Sequence, residues 1–213
     1  MKYMEPPDAA TPAEFWESLH QQVAASPWEL RVNPVLAAMV GDLSPGAALD
    51  LGCGQGGDSL WFAQRGWQVT AVDIADAALQ RVNERAAQER LSDRIRTERH
   101  DLVDSLPSGR WDLVSAHYLQ SLFEFPRARI LRELGEQVNR GGMLLIVDHG
   151  SVAPWSWNQG ATIPTPEETL AGLALDPASW QVLCCEARVR TATGPGGQTA
   201  EVTDNVIALR RTA

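Results

Sequence analysis

Apolar positions along this chain follow two different periods, and the change from one to the other marks out its elements. Four short apolar runs have the length of buried strands: "AALDLGC" at 47–53, "WQVTAVDI" at 67–74, "WDLVSAHY" at 111–118 and "GGMLLIVDHG" at 141–150. Between them the spacing lengthens to that of a helix. Leu79, Val82 and Ala86 share one face of "ADAALQRVNERAAQERL", and Ile130, Leu134 and Val138 share one face of "PRARILRELGEQV". Residues 58–65 read as a helix with Asp58 or Ser59 as N-cap. "RIRTERHDL", at 94–102, is a more polar strand suited to a place near the sheet edge. Upstream, Thr11-Pro12 opens a helix with Phe15, Leu19 and Val23 on one face, and "PVLAAMVGDL" forms a second, ending near Gly41.

Strand and helix alternate from Ser44 onward, which is the order of a parallel, doubly wound sheet. The ending breaks that order. "WQVLCCEARVR" and "DNVIALRR" are strand-like and have no helix between them, only the Gly- and Pro-containing "TATGPGGQTAEVT". They form a hairpin, so the last strand runs antiparallel to its neighbour. Trp61, Trp67, Trp111 and Trp180 lie in or beside these elements and are expected in the core. Cys184 and Cys185 point to opposite faces of one strand, so one thiol is expected to be buried and inert.

Composition narrows the function. The chain has 213 residues, 44% of them hydrophobic and 21% charged, as in a soluble domain with a sizeable core. With 18 Lys plus Arg against 27 Asp plus Glu the net charge is −9, which repels phosphate backbones and makes nucleic acid an unfavourable partner. Three cysteines without framework spacing fit a reducing, cytoplasmic compartment. No apolar leader, membrane-length run or metal-ligand cluster is present.

The chemistry is densest in "LDLGCGQGG". Gly52-x-Gly54-x-x-Gly57 fits a dinucleotide-binding turn, and Asp50-x-Gly52-x-Gly54-x-Gly56 fits a turn that holds a methionine-linked adenosine. A strand-to-helix turn that carries its backbone close to a ligand has no room for side chains, hence the glycines. Asp73 lies 21 positions after Gly52, at the end of the second strand, where a carboxylate can accept hydrogen bonds from ribose hydroxyls. Asp101, after the third strand, can accept one from an adenine amine, with Leu102 packing the ring. Both positions also have a plainer use, as loop caps.

From about Ser44 to the C-terminus the chain resembles the class I S-adenosylmethionine-dependent methyltransferases. "LDLGCGQGG", "VTAVDI", "RHDL", "WDLVSAHY" and "GGMLLIV" carry the likeness, together with the terminal hairpin. "GGDSLWFAQRGWQVTAVD" and "VSAHYL" resemble the small bacterial methyltransferases of the tellurite-resistance and thiopurine-methyltransferase type. The likeness implies a Rossmann-like α/β fold. Its doubly wound, seven-stranded sheet is mostly parallel, with an antiparallel C-terminal strand and helices on both faces. A helical cap segment, 1–43, would precede the methyltransferase domain, 44–213, in one compact unit.

The same likeness distributes roles. Asp50, Gly52, Gly54 and Gly56 would surround the methionine moiety of S-adenosyl-L-methionine, with Cys53 contributing backbone. Asp73 would hold the ribose and Ile74 would flank the adenine, while Asp101 and Leu102 would meet the base. Ala116 and His117 would face the sulfonium end, and Trp16, Trp28 and Asn33 would approach from the cap. S-adenosyl-L-homocysteine would be the product.

A sulfonium methyl is already a good electrophile, so the protein needs chiefly to align an acceptor and exclude water. Where the acceptor must lose a proton, His117 and His149 are the candidate bases, since both follow strand ends on the cofactor side. Tyr118 is a candidate hydrogen-bond donor. Trp155 and Trp157, in the loop after the fifth strand, either wall an acceptor pocket or anchor the loop. "SAHY" stands where methyltransferases of amide and nucleobase nitrogens often carry Asn- or Asp-Pro-Pro-aromatic, which points to another small-molecule acceptor. Two other readings remain open: an NAD-dependent oxidoreductase and a non-catalytic S-adenosylmethionine-binding protein. Asp50 before the glycines, an acid after the third strand and the closing hairpin count against the first.

Overall fold

The computed structural model of the chain describes residues 11–24, 31–156, 158–194 and 196–213. The helices Pro12–Ala24 (α1) and Pro34–Val40 (α2) lead into the strand Ala47–Leu51 (β1). Gly57–Gln64 (α3), Gln68–Asp73 (β2), Asp76–Gln88 (α4), Ile95–Arg99 (β3) and Trp111–His117 (β4) follow. Then come Arg127–Gly135 (α5), Val138–His149 (β5), Pro166–Leu173 (α6), Trp180–Thr193 (β6) and Thr199–Arg211 (β7).

The seven strands form one sheet in the order β3-β2-β1-β4-β5-β7-β6. The first five pair in parallel, while β7 inserts antiparallel between β5 and β6. The chain order reverses between β1 and β4, and that switch point opens a crevice at the carboxyl ends of the strands. The polar strand β3 is an edge, as its composition led us to expect.

Alternation along the strands builds two cores. Ala48, Val69, Ala71, Leu113, Leu145 and Val147 face α2, α3 and α4, whereas Leu49, Leu51, Val72, Val114, Leu144 and Ile146 face α5 and α6. Helices therefore cover both faces. Val35, Leu36 and Val40 of α2 lie in the first core, so the described part of the first 43 residues packs into the body of the domain. Trp61, Trp67, Trp111 and Trp180 are all buried. No helix among the described residues is long and apolar enough to cross a membrane.

Four local expectations change. Helix α3 is capped by Gly56, not by Asp58 or Ser59, and both of those side chains turn to other partners. Helix α6, for which no element was expected, is started by a capping box between Thr165 and Glu168 with Pro166 at its first turn. The terminal strands run through Thr193 and restart at Thr199, so the hairpin connection is far tighter than its composition implied. Cys184 and Cys185 are both half-buried, one packed against each core, and burial pushes both thiols up.

Candidate functional site

The turn after β1 is built around glycines in the left-handed region. Gly52 has φ +65° and Gly56 +84°, where other L-residues are strained. A Cβ on Gly52 would lie 2.8 Å from the Leu119 side chain, and one on Gly56 2.7 Å from Val82 of α4. The turn is also laced to the end of β2. Cys53 N–H donates to the Val72 carbonyl (2.9 Å), and Gly54 N–H donates to Asp73 Oδ2 (3.0 Å). Asp73 Oδ1 accepts the Ala75 N–H at 3.0 Å, so this buried carboxylate ties the glycine turn to the start of α4.

Above the turn lies a cavity of about 270 Å³. Its floor and one wall come from Gly52, Gly54, Asp73, Ile74, Asp101 and Leu102. His117, Tyr118 and Leu119 close the side toward β4, and Pro12, Trp16 and His20 of α1 close it from above. Helix α1 is held over the site by Glu17, which accepts the Ala77 N–H at 3.0 Å, and by a Gln55–His20 side-chain contact at 3.2 Å. Another hollow, about 310 Å³, lies among Gln68, Thr70, Arg94 and Trp111 at the amino ends of β1–β3. That is the wrong end of a parallel sheet for chemistry on strand-end residues.

Nine of the residues singled out from the sequence thus share one cavity: Trp16, Gly52, Gly54, Asp73, Ile74, Asp101, Leu102, His117 and Tyr118. Asp50, Cys53, Gly56, Ala116 and His149 are not on its wall. Asp50 lies beneath the turn, where its carboxylate accepts the Ser59 hydroxyl at 2.5 Å. Burial, and then the nearby Asp58 carboxylate, push its pKa up to about 7. Burial likewise pushes the Cys53 thiol up, and Ala116 is wholly inside the second core. Asp101 lines the cavity, and its Oδ1 accepts the Val103 N–H at 3.0 Å, the loop-capping use. Trp28 and Trp157 lie outside the described residues. Trp155 sits over the hairpin turn, where a Cβ on Gly194 would be 2.6 Å from its indole, so it takes the anchoring role.

The two histidines differ sharply. His117 Nδ1 meets Asp58 Oδ2 at 2.6 Å and its Nε2 meets Ser115 Oγ at 3.2 Å, with the side chain 6% exposed. Asp58 Oδ1 also accepts the Asn33 N–H at 2.7 Å, so His117 is tied through one carboxylate to the entrance of α2. Both ring nitrogens of His117 thus have side-chain partners, Asp58 and Ser115. His149 keeps exposed surface and stacks on Tyr118, centroids 4.3 Å apart. Desolvation lowers its pKa, outweighing the nearby carboxylate of Asp204. Tyr118 lies at φ +51°, and its hydroxyl accepts an Arg190 N–H at 3.4 Å. Burial, then the Asp204 carboxylate, push its pKa up to about 12.

The sequence reading did not pick out Pro12, His20, His100, Val103, Leu119, Gln120, Ser121, Glu124 or Phe125, which also line the cavity. No motif marks "LQSLFEFP". Its signal is position alone: it is the first loop past the carboxyl end of β4, beside the switch point.

A family model described as a methyltransferase domain matches residues 48–142. The chain is 28% identical over 148 residues to hemagglutinin 1 of Eikenella corrodens, covering 69% of this chain and 48% of that protein. It is 31% identical over 106 residues to a probable S-adenosyl-L-methionine-dependent methyltransferase, TehB, of Haemophilus influenzae, covering 49% of this chain and 36% of that protein. The chain spans about half the length of these curated relatives, or less. In fold it is similar to the crystal structure of Haemophilus influenzae TehB, with a TM-score of 0.68 and 20% identity over 93% of this chain and 68% of that one. It is likewise similar to the N-methyltransferase NodS of Bradyrhizobium japonicum in complex with S-adenosyl-L-homocysteine. There the TM-score is 0.66 and the identity 16%, over 93% of this chain and 99% of that one.

Proposed function

This chain carries a class I S-adenosylmethionine-dependent methyltransferase domain related to TehB, and from that premise we propose that it methylates a small molecule. When bound, S-adenosylmethionine supplies an electrophilic methyl group whose transfer breaks the carbon–sulfur bond and leaves a neutral thioether. The observation that carries the reading is the cavity wall itself. The glycine cradle, in which a Cβ on Gly52 would collide, stands beside Asp73 and Asp101. No Lys or Arg lines the cavity among the described residues. Such a wall suits a sulfonium cation.

In this reading Asp73 holds the ribose, while Ile74, Asp101 and Leu102 hold the adenine. Gly52 and Gly54 bring their backbone to the methionine moiety, and Cys53, held to Val72, fixes the turn's course. Asp50 and Gly56 act from below, through Ser59 and through the start of α3. His117 is a wall residue set by Asp58. His149 is the base for acceptors that must lose a proton, and Tyr118, between it and the cavity, keeps its hydroxyl proton and positions the acceptor. Residues 12–24 act as a cap over the site, and small-molecule acceptors reach it from the cytoplasm.

Asp73→Ala tests the assignment. Calorimetric titration with S-adenosyl-L-homocysteine should show affinity at least about 100-fold weaker, since a charged hydrogen-bonding group and the brace of the turn are lost together. Unchanged affinity would remove Asp73 from the ribose site.

A further inference from the structure

The cavity has an acid that the cofactor reading leaves unused. Asp73 and Asp101 are assigned to the ribose and the adenine, beside the bonds they accept from the Gly54, Ala75 and Val103 N–H groups. Glu124 also lines the cavity, is exposed at its lip, and has no hydrogen bond or ion pair with any described residue. Across the opening stands Trp16, half-buried and on the same wall. The two sides are brought together by their chain neighbours: Phe15 and Phe123 meet edge to face with ring centroids 5.9 Å apart. An unpaired carboxylate and an indole facing one cavity are the two elements of organic-cation recognition, a counter-charge and a π face.

Two arginines near this wall are already committed. Arg190, which touches Tyr118, pairs with Asp204 at 2.6 Å, and Arg127, two residues past Phe125, pairs with Asp148 at 2.5 Å. Neither is free to receive a carboxylate or an oxyanion. Resting on the methyltransferase reading, we propose that Trp16 and Glu124 form an acceptor subsite for a cationic group, so that the acceptor is an organic amine held by its ammonium at the mouth. The ammonium is the handle and a separate atom of the acceptor receives the methyl group. The cofactor's own ammonium shares this chemistry, and the experiment must separate the two.

Three phenols that differ only in side-chain charge provide the probe: tyramine, 4-ethylphenol and 3-(4-hydroxyphenyl)propionate. Each is titrated calorimetrically into the complex of the full chain with S-adenosyl-L-homocysteine. Tyramine should bind about tenfold more tightly than the neutral phenol, and the propionate should bind least tightly. Glu124→Gln and Trp16→Leu should each remove most of the tyramine preference, while affinity for S-adenosyl-L-homocysteine changes less than about twofold in Glu124→Gln. No tyramine binding, or binding no tighter than that of the propionate, overturns the proposal. So does a Glu124→Gln loss that falls equally on S-adenosyl-L-homocysteine, which would make this the cofactor's ammonium site. A parent protein that binds no S-adenosyl-L-homocysteine would instead strike down the methyltransferase reading itself.

Discussion

In the proposed reading His149 takes the acceptor's proton and Tyr118 positions the acceptor. Desolvation lowers the His149 pKa, so the imidazole is neutral and able to accept a proton at physiological pH. Burial, then the Asp204 carboxylate, push the Tyr118 pKa up to about 12, so the phenol keeps its proton and is not itself a base at neutral pH. A base must be unprotonated to work. With an acceptor that loses a proton, kcat/KM should therefore rise with pH through an apparent pKa below the ordinary histidine value and level off by neutrality. His149→Ala should lower kcat/KM by about 100-fold and remove that limb from the pH profile. His117→Ala should leave the limb in place, because both of its ring nitrogens are occupied. A limb that vanishes with His117 and survives without His149 would reverse the two assignments.

At the scale of elements, the β1–α3 turn is the piece on which the site depends. Gly56 and Gly141 share a φ of +84°, but a Cβ on Gly56 meets Val82 while one on Gly141 meets nothing within 4 Å. The backbone penalty is common to both, about 1–2 kcal/mol. Gly56→Ala should exceed it through the clash with α4 and also weaken S-adenosyl-L-homocysteine binding, whereas Gly141→Ala should only lower stability. Urea midpoints and calorimetry for the pair check this, and equal effects on both would mean that the turn does not bear on α4. The turn was legible because glycine is the one residue that tolerates these angles, so its need is written in the sequence. Other elements left fainter marks. Helix α6 buries little beyond Pro166 and Leu173, so it has no periodic stripe and is announced only by Thr165 and Glu168. The outer ends of β6 and β7 are polar and exposed, and read as loop until the ladder from Arg190–Val202 to Thr193–Thr199 is seen. The partners of Asp58 were hidden for another reason: Asn33 and His117 lie 25 and 59 positions away, and no local pattern reports such contacts.

For the molecule as a whole, sheet order and charge converge on one ligand. The switch point between β1 and β4 opens the crevice, the glycine turn supplies close-lying backbone, and α1 closes the top. A net charge of −9 and a cavity free of Lys and Arg among the described residues give the crevice a preference for cations over phosphates. The glycine pattern alone fits two cofactors, and the methyltransferase-domain match over residues 48–142 favours the sulfur compounds. The most direct measurement is calorimetric titration of the purified chain with S-adenosyl-L-methionine, S-adenosyl-L-homocysteine and NAD under one buffer. Saturable, one-to-one binding of both sulfur compounds and no binding of NAD is the expected result. Binding of NAD without binding of either sulfur compound would contradict it.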